Sequence, residues 1–324
     1  MESRLLEYML RVAELGSINK AAADLHLSQP ALSRHIAALE AEMGAKLFTR
    51  TQSGVQLTDA GLLLTEKARP LLRQFSILKE QVGETAAGQL SVGVPPSWHK
   101  VFTTPFIRTL VDQHPDIKLR IHEGVSHLLR DQLLAGILDL CVMPFDASPP
   151  AGFRQTALVR EPLIVLGNAA EKLTPSEATP IARLDGAKLV LPGRPNALRA
   201  LVEHMLVRKG MVFRTAIEVG TLSLCMELAE QGMGLTVLPA CALNNVARQD
   251  AISWSPLRGL ALTWALYENQ ARSHSHALRE GKRVMMATLE HAIDTRHWYG
   301  LEAMGSLAKK TSSVAPSAAG HAPA

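Results

Sequence analysis

The chain has 324 residues, of which 47% are hydrophobic and 20% charged, and its formal net charge is +4. That balance excludes a disordered chain, which needs fewer apolar residues and more net charge, and the length favours two or three folding units. No stretch approaches the roughly 18–20 consecutive apolar residues that span a bilayer. The start, Met1-Glu2-Ser3-Arg4-Leu5-Leu6-Glu7, lacks the basic end and apolar core of a secretion signal, so no membrane partner and a cytoplasmic location are expected.

Leu5, Met9 and Val12 recur at helical spacing and predict a first helix, closed by Gly16. Ser17 is suited to cap a short second helix over 18–25, whose alanines allow close approach of a neighbour. Ser28 caps a third helix, and Pro30 fits its first turn because an N–H there has no intrahelical partner. Leu32, Ile36, Leu39 and Met43 form that helix's buried stripe, and Gly44 closes it. Residues 46–50 and 55–57 around Ser53-Gly54 read as a β-hairpin. Three helices followed by a hairpin predict a winged helix-turn-helix over 1–58.

A long helix follows from Thr58 to about 87. Leu64, Ala68, Leu71, Phe75, Leu78 and Val82 alternate steps of four and three, the period of a coiled-coil seam, so 59–88 is expected to be a linker and dimerisation helix. Pro70 is expected to kink it. After a hinge at Ala86-Ala87-Gly88, strands are predicted at 90–94, 117–122, 138–143, 163–167, 188–191, 216–219, 234–238 and 261–267. Helices are predicted at 103–114, 127–136, 196–209, 222–231 and 274–298. This alternation predicts α/β units with parallel sheets. The tail 301–324 turns rich in Ser, Ala, Pro and Gly from Ser306 and is expected to be disordered.

The third helix carries the chemistry of DNA reading. With 32, 36, 39 and 43 buried, Pro30 and Arg34 point outward, flanked by Gln29 and Ser33. A helix in the major groove reads base edges with its N-terminal residues. Gln29 can pair with adenine through its amide, and Arg34 can reach guanine or a phosphate. Ser28 and Ser33 suit phosphate or base contacts, while Arg50 and Thr51 of the hairpin can lie over the adjacent backbone or minor groove. Charge alone does not point this way. In 1–58, Arg4, Arg11, Lys20, Arg34, Lys46 and Arg50 are balanced by Glu2, Glu7, Glu14, Asp24, Glu40 and Glu42. Binding must therefore rest on a few well-placed cations and helix N-termini.

A long stretch carries a resemblance. It comprises Gly16-Ser17-Ile18-Asn19-Lys20-Ala21-Ala22, Leu25-His26-Leu27-Ser28-Gln29-Pro30-Ala31-Leu32-Ser33-Arg34-His35-Ile36, Leu39-Glu40, Gly44, Leu47-Phe48-Thr49-Arg50 and Leu57-Thr58-Asp59-Ala60-Gly61. It resembles the N-terminal signature of the LysR-type transcriptional regulators. The resemblance implies an α+β multidomain protein: a winged helix-turn-helix, a long linker helix, and a C-terminal α/β domain of two subdomains, like a periplasmic binding protein. It implies that Gln29, Pro30, Ser33, Arg34 and Arg50 meet double-stranded promoter DNA. It also implies a homodimer through the linker helix and commonly a homotetramer, with RNA polymerase as a further partner.

On that plan, 89–300 is the effector domain, with subdomain one at about 90–162 plus 268–300 and subdomain two at about 163–267. Hydroxyls and free N–H groups at helix starts form an anion site for a carboxylate or sulfonate, and the resemblance puts effector contacts at Ser97, Ser126 and Thr221. The loop Pro192-Gly193-Arg194-Pro195-Asn196 is a fourth wall, with Arg194 as counter-ion. Trp98 either stacks on an effector ring or fills the empty cleft. His99 and His127 lie beside the site but form no metal motif, and no cofactor is expected. Cys141, Cys225 and Cys241 suit reduced, buried thiols; a switch between Cys225 and Cys241 lacks the basic surroundings that activate a thiolate. Two other readings remain open here, a solute-binding module without a DNA role and an enzyme. Against the second, there is no Gly-x-Ser-x-Gly, phosphate loop, dinucleotide fingerprint or paired-carboxylate signature.

Overall fold

A computed structural model describes residues 3–51, 54–82, 88–212, 214–246, 249–270, 275–295 and 297–308. Contacts divide the chain into two units, Met1–Thr85 with Gln132–Leu138, and Ala86–Asp131 with Asp139–Ala324.

The first unit opens with α1 (Ser3–Leu15), α2 (Ile18–Asp24) and α3 (Gln29–Met43). Ser17 and Ser28 cap α2 and α3, their hydroxyls accepting from the amides of Lys20 and Ala31. Leu6, Met9, Ala21, Leu32 and Leu39 close the core between the helices. Met43 departs from the expected stripe: it is exposed, and Glu40 is buried in its stead. The helix ends one residue later at Gly44, whose φ of +67° turns the chain away before Met43 can meet the core. Glu40 satisfies the amides entering the hairpin. One carboxylate oxygen accepts from Leu47 N at 2.9 Å and Phe48 N at 3.4 Å, the other from Lys46 Nζ at 2.7 Å. Burial opposes its charge, but Lys46 and the two amides outweigh it and hold the carboxyl below its ordinary range.

The wing is β1 (Phe48–Thr51) paired antiparallel with β2 (Gly54–Leu57), Phe48 opposite Leu57 and Thr51 opposite Gly54. Gln52 and Ser53 of the expected turn lie outside the described residues. Thr58 begins α4 (Asp59–Val82) by donating to Lys46 O and accepting from Gly61 N. Gly61 is required by close approach: a Cβ there would stand 2.1 Å from the Leu47 carbonyl oxygen. The helix is continuous through Pro70. Its expected seam divides. Ala68 is buried, and Leu64 packs with it on the core of the helical unit, whereas Leu71 and Phe75 are exposed. A step of four and three marks a face, and here the first turns of that face are covered by the chain's own α1. The side chains of Leu78 and Val82, and residues 83–87, lie outside the described residues.

The second unit contains β3 (Gln89–Val94), α5 (Thr104–Gln113), β4 (Lys118–Glu123), α6 (Ser126–Leu134), β5 (Leu140–Pro144), β6 (Phe153–Asn168), β7 (Leu189–Pro192), α7 (Ala197–Arg208), β8 (Thr215–Val219), α8 (Leu222–Glu230), β9 (Thr236–Pro239), β10 (Ile252–Asn269), α9 (His276–Asp294) and β11 (Glu302–Ala303). One sheet runs β11-β6-β10-β5-β3-β4, with β9 on the far half of β6, and β7 pairs with β8. β3 is parallel to β4 and β5, and β7 to β8; β6 and β10 are antiparallel to each other. The parallel expectation thus holds at the strand–helix units and fails at the two long strands. These cross from one lobe to the other, and only their later parts, 163–167 and 261–267, were visible as apolar runs, because Arg160, Glu161 and Pro162, and Pro256, Arg258 and Gly259, interrupt the pattern before them.

Two cores define the lobes. One joins Val92, Phe106, Leu158, Leu266 and Val284; the other joins Leu163, Leu191, Val202, Val237 and Leu260. Leu262 touches both, so the return crossing lies near 262 and not near 267. Trp264, Leu266 and Tyr267 belong to the first lobe because their strand pairs there with β5. The tail also departs from expectation over 301–308: β11 pairs with β6, and Leu307 is buried in the first core. Residues 309–324 lie outside the described residues.

Candidate functional site

In the helical unit, the start of α3 is open to solvent. Ser28, Gln29, Pro30 and Arg34 are exposed, Ser33 is half-buried, and Ala37 and Ala38 continue the exposed face. Gln29 Nε2 donates to Ser33 Oγ at 2.9 Å, which orders the amide before any ligand arrives. Arg50 is exposed on the wing and Thr51 half-buried at its tip. The equal count of charges hides an unequal distribution. Arg11 holds Asp24 at 2.6 Å and Glu14 at 3.1 Å, and Lys46 holds Glu40, so these carboxylates are neutralised locally. Arg34 and Arg50 make no ion pair among the described residues, leaving both guanidiniums for an external anion.

Between the two lobes of the second unit lies a cleft of about 630 Å³, within the usual range of small-molecule sites. Ser97, Ser126 and Thr221 all line it, brought together from three strand–helix junctions. Ser97 follows β3, in a tight turn at Pro96–Trp98. Ser126 is the first residue of α6, and the helix's opening carbonyl is that of Val125, so Ser126 contributes one of the uncommitted amides. Thr221 caps α8, accepting from Leu224 N at 3.4 Å and keeping its own O–H free to donate. Pro192 and Asn196 of the predicted fourth wall also line the cleft.

Sequence reasoning missed several of its residues. Lys100 and Glu123 are the charged groups there beside His99, and Trp264, Met226 and Leu262 supply apolar surface. Asn245 donates Nδ2 to the carbonyls of Pro96 and Ser97, both at 3.4 Å, while its buried Oδ1 has no partner among the described residues. A lysine three residues past the Ser97 turn was the available signal for a counter-ion.

Two expected members lie elsewhere. Trp98 is fully buried and lines no part of the cleft. Its ring sits edge-on to Phe102, Trp264 and Trp298 at 5.1, 5.6 and 5.1 Å, because the turn that shows Ser97 to the cleft points the next side chain into the first core. Trp264 is the indole of this group that reaches the cleft. Behind it, the wholly buried Glu161 accepts from Trp264 Nε1, Trp298 Nε1 and Cys241 N. Arg194 lines a separate cavity and is paired with Glu203 at 2.7 Å, so it is not the counter-ion of this cleft. His127 lines that second cavity and His99 the first, so the two do not share a site.

Residues 3–62 match the family profile described as "Bacterial regulatory helix-turn-helix protein, lysR family", and residues 83–289 match the LysR substrate binding domain. The chain belongs to the LysR family of transcriptional regulators. Among curated LysR-type relatives, it is 32% identical over 250 residues to the nitrogen assimilation regulatory protein Nac of Klebsiella aerogenes, covering 76% of this chain and 81% of Nac. It is 32% identical over 259 residues to the dual regulator OxyR of Escherichia coli, covering 79% and 85%. A variant of full-length OxyR from Pseudomonas aeruginosa superposes with a TM-score of 0.69 at 25% identity, covering 90% and 95%. Full-length CbnR in complex with its target DNA shares the fold, with a TM-score of 0.65 at 22% identity, covering 89% and 100%. This LysR-type protein is thus a DNA-binding transcriptional regulator with an effector-binding domain. No helix among its described residues is long and apolar enough to cross a membrane.

All three cysteines of the regulator are buried. Burial pushes the Cys225 thiol up to about 11 and also raises those of Cys141 and Cys241. A protonated thiol is a poor nucleophile. The native protein at neutral pH is therefore expected to resist an Ellman-type thiol reagent and to release three equivalents of colour only on denaturation. Rapid native labelling of any one would place that cysteine at the surface.

Proposed function

We propose that this LysR-type regulator reads promoter DNA with the start of α3, using Ser28, Gln29, Pro30, Ser33 and Arg34, and with Arg50 and Thr51 of the wing. We propose further that a small anionic effector, a carboxylate or sulfonate, switches it from the cleft between the lobes. The observation that carries the effector reading is that Ser97, Ser126, Thr221 and Lys100 all line one cleft. Hydroxyls, uncommitted helix amides and an ammonium together favour an anion, and Trp264 and Leu262 offer a surface for its apolar part.

The protein is a non-catalytic cytoplasmic regulator that works as a homodimer through α4, whose exposed Leu71 and Phe75 support such a contact, and assembles further into a homotetramer that acts with RNA polymerase. A multivalent assembly offsets the small charge of each reading head. The effector must bind two assembly shapes unequally, since equal affinity shifts no population. Redox sensing through a reactive thiol finds no support in three buried thiols of raised pKa.

The test is a thermal-shift screen of the full-length protein with small carboxylates and sulfonates, because a ligand of the native state raises apparent stability. Ser97→Ala and Ser126→Ala are expected to blunt the shift and the change in operator binding, with basal operator affinity unchanged. Full response in both variants would overturn this placement of the effector.

A further inference from the structure

A second cavity of about 600 Å³ flanks the cleft. The two share Ser126, Pro144 and Asn196, but no other lining residue. Its charged groups come from both lobes. Arg130 extends from α6 in the first lobe; Arg194, Arg199 and Glu203 come from the loop after β7 and from α7 in the second. Asp146, just beyond β5, completes them.

These groups form a built site. Arg199 is buried to 4% exposure and spends its guanidinium on Glu203, Glu218, Thr215 Oγ1 and the Pro192 carbonyl. It thereby fixes Glu203, which in turn holds Arg194 Nη2 at 2.7 Å. Asp146 is held on the other side. Its main-chain N–H and C=O are both bonded by the Gln155 amide at 2.8 Å, one carboxylate oxygen accepts from Ser148 N, and the other from Arg130 Nη1 at 2.9 Å. Arg130 and Arg194 each use one N–H in this way, and a guanidinium has five. Both are substantially exposed, so their remaining donors are available to the cavity. Arg130, Arg194 and Arg199 are matched by Asp146, Glu203 and Glu218, so an anion is drawn by the unspent N–H donors of Arg130 and Arg194 and not by an excess of positive charge.

The rest of the wall is apolar. It includes Met143, Pro144, Pro150, Pro195 and Phe145, a residue that is 50% exposed. Tyr267 closes the floor, its hydroxyl committed to the Pro144 carbonyl at 2.9 Å.

We propose that this cavity is a second ligand site, distinct from the effector cleft, for an aryl or alkyl carboxylate whose anionic end meets Arg130 and Arg194 and whose apolar body lies on Phe145 and Pro144. Because the two arginines belong to different lobes, an occupant ties the lobes together and biases their relative disposition. The inference does not depend on what binds beside Ser97.

The experiment is calorimetric titration of the full-length protein with phenylacetate, 3-phenylpropionate and the neutral 2-phenylethanol. Both acids are expected to bind, and the alcohol at least about tenfold more weakly, since it offers no charge to the guanidiniums. R130Q and R194Q should each weaken the acids by about tenfold, R194K by less, and F145S should weaken acids and alcohol alike. Unfolding midpoints of each variant establish that it is folded, and F145S changes a half-exposed side chain that the core does not need. S97A should leave these titrations unchanged. The proposal is overturned if neither acid binds, if acid and alcohol bind equally, or if R130Q and R194Q bind as wild type. It also falls if S97A abolishes binding, in which case the probes occupy the effector cleft and that reading alone survives.

Discussion

Replacing Arg34 by Ala is expected to weaken specific operator binding by about 1–3 kcal/mol, roughly five- to 150-fold in Kd. Arg34 is exposed on the outward face of α3 and makes no ion pair among the described residues, so the substitution removes no ion pair from the described fold. Leu32, Ile36 and Leu39, which hold the helix, are untouched. The loss therefore belongs to the interface. Gln29→Ala should cost a similar amount, and Ser33→Ala less, because Ser33 is half-buried and its hydroxyl already accepts from the Gln29 amide at 2.9 Å, so its own contact with DNA is the smaller one. Fluorescence anisotropy on labelled operator at fixed salt measures this, with a scrambled duplex as control, since phosphate contacts vary steeply with ionic strength. A base contact by Arg34 weakens the operator alone, whereas a phosphate contact weakens both duplexes. Wild-type affinity in both Arg34→Ala and Gln29→Ala would remove α3 from the DNA interface.

The helical unit was largely legible because its signals are local. Ser17, Ser28 and Gly44 act within one turn of chain, and the apolar spacing of α1 and α3 reports a face that the same few residues create. Its failures are places where a distant segment decides. Met43 continues the spacing, yet the turn at Gly44 removes its neighbours, and the amides of Leu47 and Phe48 recruit Glu40 instead. Leu64 and Ala68 show the period of a seam, but period alone does not say whether the partner is another chain or α1. The same limit governs the cleft. Ser97, Ser126 and Thr221 could be named because each stands where a strand hands over to a helix. Arg194 stands there too, but its partner Glu203 lies about two helix turns beyond the loop, and that pairing cannot be read from spacing. Trp264 and Glu161 were missed together. A glutamate before a proline looks like the end of a strand, and only the return of β10 alongside β6 turns it into an interior acceptor.

Glu161 carries the second large effect. Its carboxyl is the common acceptor for Trp264 on β10, Trp298 beyond α9 and the amide of Cys241 after β9, so three segments distant in sequence meet on one side chain. Glu161→Leu removes that acceptor and leaves three buried donors unpaired. At about 1–3 kcal/mol for each orphaned group, and with partial relaxation, the expected loss is about 3–5 kcal/mol, or roughly 10 °C in the unfolding midpoint for a unit of this size. Glu161→Gln keeps one acceptor oxygen and should lose less. The pH dependence separates the two roles of the group. Burial raises the Glu161 carboxyl above its usual 4.5 despite its hydrogen bonds. Between that value and the raised one, the folded chain holds a proton that the unfolded chain has released. Its contribution is thus complete at low pH and declines as pH climbs through the window. Glu40 and Glu203, held below the usual range, act oppositely and lose their contribution only as pH falls beneath it. Subtracting the Glu161→Gln stability profile from that of wild type should therefore leave a curve that falls with rising pH on the alkaline side of 4.5. A flat difference would mean that the three N–H donors keep the carboxylate ionised throughout, and that its burial is fully offset by their hydrogen bonds.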